Sequence, residues 1–106
     1  MDKEQIIESM MAQVMEEFDF DYVHNVMVNL GLKWYIRGEE VVPSTYQIIK
    51  KAEKLLIDVK NHYGEKDFYS CETGGLMASL NEGTLSLQFV LTESVSYVEG
   101  FANTED

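Results

Sequence analysis

One cysteine, Cys71, stands in the 106 residues, so no internal disulfide framework and no cysteine-based zinc site can form within the chain. No apolar run approaches the roughly 20 residues that span a bilayer, so no membrane partner is expected. The opening Met1-Asp2-Lys3-Glu4-Gln5 leads into an amphipathic segment and not into the apolar stretch of a signal peptide. A soluble, cytoplasmic protein is the expectation. Lys and Arg are missing altogether from residues 67–106, which hold seven acids. Direct binding to DNA or RNA is disfavoured, because phosphate neutralisation needs clustered Lys and Arg.

What the chain does have points to one folded domain over residues 1–106, with 103–106 fraying at the end. Apolar residues make up 45% and aromatics 11%, which suits a packed core and not a disordered chain. The net charge of −11 is unevenly spread. Residues 1–31 carry seven acids and one base, and residues 32–66 carry five acids against seven bases. Acidic patches should therefore come from the first helix and from the C-terminal half, with a basic strip between them. Such acidity either solubilises the surface or equips it to compete with nucleic acid for a basic groove.

The strongest pattern is a hairpin. Leu76, Ala78 and Leu80 alternate on one arm, and Leu85, Leu87, Phe89 and Leu91 on the other, across an expected three-residue turn containing Gly83. Period-two alternation on both arms marks a half-buried antiparallel pair. Asp67 to Glu72 reads as a preceding strand, joined through Thr73-Gly74-Gly75, whose glycines suit positive φ angles in a turn or bulge. The meander should run over about 67–72, 75–81 and 84–92. Val95, Tyr97, Val98 and Phe101 keep enough apolar character for the last arm to run on or dock.

Three helices are expected to cover that sheet. Ile6, Met10, Val14 and Phe18, with Ile7 and Met11 beside them, form the stripe of an amphipathic helix from near 2 to near 17. Its methionines (Met10, Met11, Met15) read as adaptable core or as a sticky face. Asp19 or Asp21 is a plausible N-cap for a second helix with Val23, Val26, Met27 and Leu30, closed by Gly31. Leu32–Ile36 reads as an edge strand or extended connector, Arg37-Gly38-Glu39-Glu40 as a turn, and Val41-Val42-Pro43 as extended chain. Ser44 with Gln47 is a capping box opening the longest helix. There Ile48, Ile49, Ala52, Leu55, Leu56 and Val59 form the stripe, Lys50, Lys51, Lys54 and Lys60 face outward, and Gly64 closes. The fold class is α+β: two N-terminal helices and one long central helix packed on a three- to four-stranded antiparallel sheet.

Signals for chemistry are few. His24 and His62 are far apart and make no i, i+4 pair, so no metal site is expected. Cys71 has no motif neighbour and reads as a small buried hydrophobe on a strand. Adjacent carboxylates such as Glu16/Glu17 do not face one another on a helix, so no catalytic residues and no cofactor are expected. A small-ligand or hydrolytic role would need a cavity lined by His24, Cys71 or His62. Trp34 either caps the core between the second and long helices or, like Tyr35, anchors an interface, a use that suits Trp and Tyr.

Lys33-Trp34-Tyr35, Val42-Pro43-Ser44, Ala52-Glu53-Lys54-Leu55-Leu56, Thr73-Gly74-Gly75-Leu76 and Leu85-Ser86-Leu87-Gln88-Phe89 together form a recognisable spacing. It resembles that of a group of small uncharacterised proteins of bacteriophages and prophages, over about residues 18–92. Small size, strong acidity and that resemblance also look like the anti-CRISPR and anti-restriction inhibitors, which imply occupation of a basic channel in a host defence enzyme. The expected partner is thus a host protein with a basic groove. The expected contact residues are Glu8, Glu16, Glu17, Asp19 and Asp21, the sheet-side acids Asp67, Glu72, Glu82 and Glu93, and the aromatics Trp34 and Tyr35. The alternative is an assembly module that forms a homodimer through Met10, Met11, Met15 or the edge at Trp34.

Overall fold

Helix caps set the frame. In the computed structural model, which describes residues 2–31, 34–65, 67–90 and, as backbone, 96–103, helix α1 spans Lys3–Glu17. Asp2 caps it: its side chain accepts the Gln5 amide while the Gln5 side chain accepts the Asp2 amide. Helix α2 spans Phe20–Asn29 with Asp19 as N-cap, and Gly31 follows its C-cap Leu30 at φ +67°. Helix α3 spans Thr45–His62, opened by the expected Ser44–Gln47 capping box and followed by Gly64 at φ +86°. Each cap satisfies backbone donors or carbonyls that the helix itself leaves orphaned.

The strands fall into two antiparallel sheets. Strands β1 (Trp34–Ile36) and β2 (Glu39–Val41) form a small hairpin, so Glu39 and Glu40 are strand residues and only Arg37 and Gly38 make the turn. Strands β3 (Phe68–Thr73), β4 (Leu76–Asn81), β5 (Thr84–Val90) and β6 (Ser96–Asn103) form the main sheet in sequential order. The last arm therefore docks as a fourth strand, with Asn103 inside it. Leu87 pairs with Gly100 and Gln88 with Val98, so β6 carries one extra residue as a bulge. Leu32, Lys33, Leu91, Glu93, Val95 and 104–106, on which expectations rested, lie outside the described residues.

Three of the hairpins turn in two residues. Asn81 pairs with Thr84, Thr73 with Leu76 and Ile36 with Glu39. The central residues, Glu82-Gly83, Gly74-Gly75 and Arg37-Gly38, all have positive φ, the signature of turns that match strand twist. The three-residue turn expected after Leu80 is thus one residue too long, because Asn81 is still paired.

Leu76, Ala78, Leu80, Leu85, Leu87 and Phe89 share one face, each at most 3% exposed. Helix α3 lies over β3 and β4, and α1 over β5 and β6, so the cover has two helices side by side. Ile48, Ala52, Leu55, Leu56 and Val59 of α3 meet Ile7, Met10 and Val14 of α1 in one core. Met10 is 3% exposed and belongs to that core, while Met11 and Met15 are only partly buried at its rim. In α2, Val23 and Met27 turn inward, but Leu30 is 58% exposed, since it sits at the cap and not on the stripe.

Trp34 ties the small hairpin to the main sheet. Its ring nitrogen donates to the Gly74 carbonyl at 3.1 Å, and the side chain is 8% exposed. A Cβ on Gly74 would lie 2.5 Å from Trp34 Nε1 and 2.7 Å from Cε2. Gly74 is therefore required twice, for its φ of +58° and for the approach of the indole. Gly74→Ala should cost about 2–4 kcal/mol, from left-handed backbone strain plus overpacking. Gly38→Ala, with nothing within 4 Å of its new Cβ, should cost only about 1 kcal/mol. Urea denaturation of the two variants measures the difference.

Candidate functional site

The expected contact residues do not form one surface. Four of them do come together where α1 gives way to α2. Glu16, Glu17, Asp19 and Asp21 line an open depression of about 490 Å³, together with Phe18, Phe20, Thr45 and Ile49. Phe18 and Phe20, 4.7 Å apart between ring centroids and both buried, form the apolar floor that brings the acids to the rim. No base lines it among the described residues. Thr45 and Ile49 were not anticipated. Their only sequence signal is proximity to the Ser44 cap, which says nothing about which helix will lie opposite.

The local chemistry separates these four acids into two pairs. Asp19 Oδ1 accepts the Tyr22 amide at 2.9 Å, and Asp21 Oδ1 accepts from Thr45 Oγ1 at 3.4 Å. Both carboxylates stand at the N-terminal end of α2, and Asp21 also reaches the first residue of α3, so two helix dipoles favour them. Glu16 and Glu17 stand in the last turn of α1, which holds no base. There the dipole disfavours negative charge. Glu17 Oε1 accepts from Gln13 Nε2 at 3.3 Å. Helix N-termini thus favour Asp19 and Asp21, whereas the dipole of α1 opposes Glu16 and Glu17.

The other residues lie elsewhere. Glu8 faces Lys60, whose Nζ approaches its Oε1 to 2.6 Å and Glu4 Oε1 to 3.3 Å. Glu8, by hydrogen bonding, holds the Lys60 ammonium above the usual lysine range. Lys60 is thus paired and does not extend the outward basic strip. Asp67 and Glu82 sit together at the β4–β5 turn, where the Glu82 amide donates to the Asp67 carbonyl at 3.0 Å. They line a second depression, of about 280 Å³, with Lys3 and Tyr63. Glu72 is exposed on β3 opposite Met77, at the edge of the sheet. Tyr35 is 71% exposed, whereas Trp34 is buried against the Gly74 turn with Lys51 Nζ 5.8 Å from its ring. The indole serves the core, and its role as an interface anchor is corrected: its hydrogen bond and burial leave little of it to a partner.

His62 and Cys71 have local roles. The His62 ring stacks on Tyr69 at 3.9 Å and its Nδ1 lies 2.8 Å from the Asp58 carbonyl. Cys71 is partly buried, and its thiol donates to the Leu55 carbonyl at 3.4 Å. His24 belongs to α2, whose start meets Thr45 at the far end of α3 from His62. Since α3 is about 27 Å long, the fold holds the two histidines apart. Among the described residues no three His, Cys, Asp or Glu side chains gather closely enough to hold a metal ion. Nor, among those residues, is any helix long and apolar enough to cross a membrane.

No protein-family model matches the chain, and neither a curated protein nor a solved structure does.

Two measurements test this account. Glu16→Gln should stabilise the fold by about 0.3–1 kcal/mol, since it removes a charge that opposes the α1 dipole; chemical denaturation at low salt reads the change. Burial first, and the Asp58 charge second, push the Cys71 thiol above its ordinary value. The unfolded chain then loses that proton at a lower pH than the folded one. This contribution to stability is complete below about pH 8.5 and is lost as pH rises through the higher folded value. The denaturation midpoint should fall over that alkaline window, and Cys71→Ala should abolish that part of the fall.

Proposed function

We propose that the chain is a small acidic accessory protein of the phage type that binds a host protein through a basic groove. By occupying that groove it inhibits a nucleic-acid-directed defence enzyme, as anti-CRISPR and anti-restriction inhibitors do. The observation that supports this reading is the acidic rim at the α1–α2 junction, where Glu17 stands beside Glu16, a charge that persists against the dipole of its own helix. Charge retained at a cost to stability is what a surface shaped for a partner carries. Asp19 and Asp21 add two further carboxylates on the same rim. A row of carboxylates offers a basic channel the same sign of charge as the phosphates it normally takes.

The reading is tested by displacement of labelled DNA from a panel of RNA-guided and restriction nucleases. The chain should displace DNA from its target, and its affinity should fall about tenfold or more between about 50 and about 200 mM salt. The Glu16→Gln, Glu17→Gln double variant should bind more weakly while keeping its fold by circular dichroism. An affinity indifferent to ionic strength, or to that double variant, would sink the proposal.

A further inference from the structure

The outer surface of the helix layer is divided by charge along a groove. Helices α1 and α3 run antiparallel: Glu4 and Glu8 meet Lys60 at one end, and Glu16 and Glu17 share a depression with Thr45 and Ile49 at the other. Between them lies an open apolar groove of about 200 Å³, lined by Met11, Ala12, Met15, Glu53, Leu56 and Ile57. Ile57 is 52% exposed, and Met11 and Met15 are only partly buried. On one bank α1 carries four acids and one base; on the other α3 carries four bases and two acids. Lys50 and Lys54 are exposed on the α3 bank, with Lys50 Nζ 5.3 Å from the Tyr46 ring and 3.7 Å from Glu53.

Such a surface is complementary to itself. A two-fold axis lying in the surface and parallel to the helices sets α1 of each copy over α3 of the other. Because the axis preserves direction along the helices, the C-terminal turn of α1, with Glu16 and Glu17, then lies over the N-terminal half of α3, with Lys50 and Lys54. The two methionine–isoleucine grooves close on one another between these contacts. An in-plane axis across the helices would instead place acid on acid, so charge selects one arrangement. We infer that the occupant of this groove is a second copy of the chain, forming a two-fold dimer with a four-helix interface. The adaptable Met11 and Met15 side chains at its centre suit a seam between like surfaces. This inference does not rest on the inhibitor reading, although a basic partner and a second copy would contend for Glu16 and Glu17.

Sedimentation equilibrium of the full chain from about 1 to about 500 μM tests it, since a dimer of modest affinity is populated across that range. The parent should pass from monomer to dimer. Lys50→Glu with Lys54→Glu should make it monomeric, and so should Glu16→Lys with Glu17→Lys. All four positions are exposed, and circular dichroism confirms that each variant keeps its fold. An equimolar mixture of the two swapped chains should recover a heterodimer, because both charge contacts are then opposite in sign again. A parent that stays monomeric throughout would overturn the proposal. So would a dimer untouched by either swap, which would place association on another face, such as the Ser79–Ser86 side of the sheet.

Discussion

Six side chains on neighbouring strands, Leu76, Ala78, Leu80, Leu85, Leu87 and Phe89, must be kept from water, and the rest of the molecule is arranged to do so. A four-stranded sheet with one apolar face is too wide for one helix, since helices pack about 8–10 Å apart and strands about 4.8 Å. Two antiparallel helices are the economical cover: α3 over β3 and β4, α1 over β5 and β6. Loss of one leucine from this layer would leave a cavity costing about 2–5 kcal/mol. Everything else is attached to that pair of layers. Helix α2 lies against α3, and the β1–β2 hairpin is held by Trp34.

This cover explains where charge can be placed. The inner faces of α1 and α3 are committed to the core, so their charges are confined to the outer surface and the helix ends. Asp19 and Asp21 are stabilised by helix N-termini, and Glu4 and Glu8 by Lys60. Glu16 and Glu17 have no such justification from the dipole of α1. Among the acids of the helix layer, some are thus favoured by a helix end, some are paired with a lysine, and Glu16 stands against the dipole of its helix.

Elements governed by local chemistry were legible in the sequence. The Ser44–Gln47 box, the strand alternation and the closing glycines Gly31 and Gly64 all act within a few residues, and each stands where its chemistry requires. The end of β4 was harder, because Asn81 and Thr84 suit a turn as well as a strand, and only their pairing decides. The same ambiguity concealed β2, where Glu39 and Glu40 read as turn residues although Ile36 and Tyr35 pair with them. The acidic rim was half legible. Glu16, Glu17, Asp19 and Asp21 are neighbours in the chain, but Thr45 and Ile49 join them only through helix packing. Glu8 lay on the same helix yet proved to belong with Lys60, a partner 52 residues away that no local pattern announces.

Trp34 is the chain's single tryptophan, and its indole sits in a seam that joins the small sheet to the large one. Its emission is therefore a built-in optical gauge of that seam. Separation of the hairpin would expose the ring to water and release it from Gly74, shifting its fluorescence to the red while α1 and α3 still give their full circular dichroism. Coincident changes in the two signals would instead mean that the hairpin and the helical cover melt as a single cooperative unit.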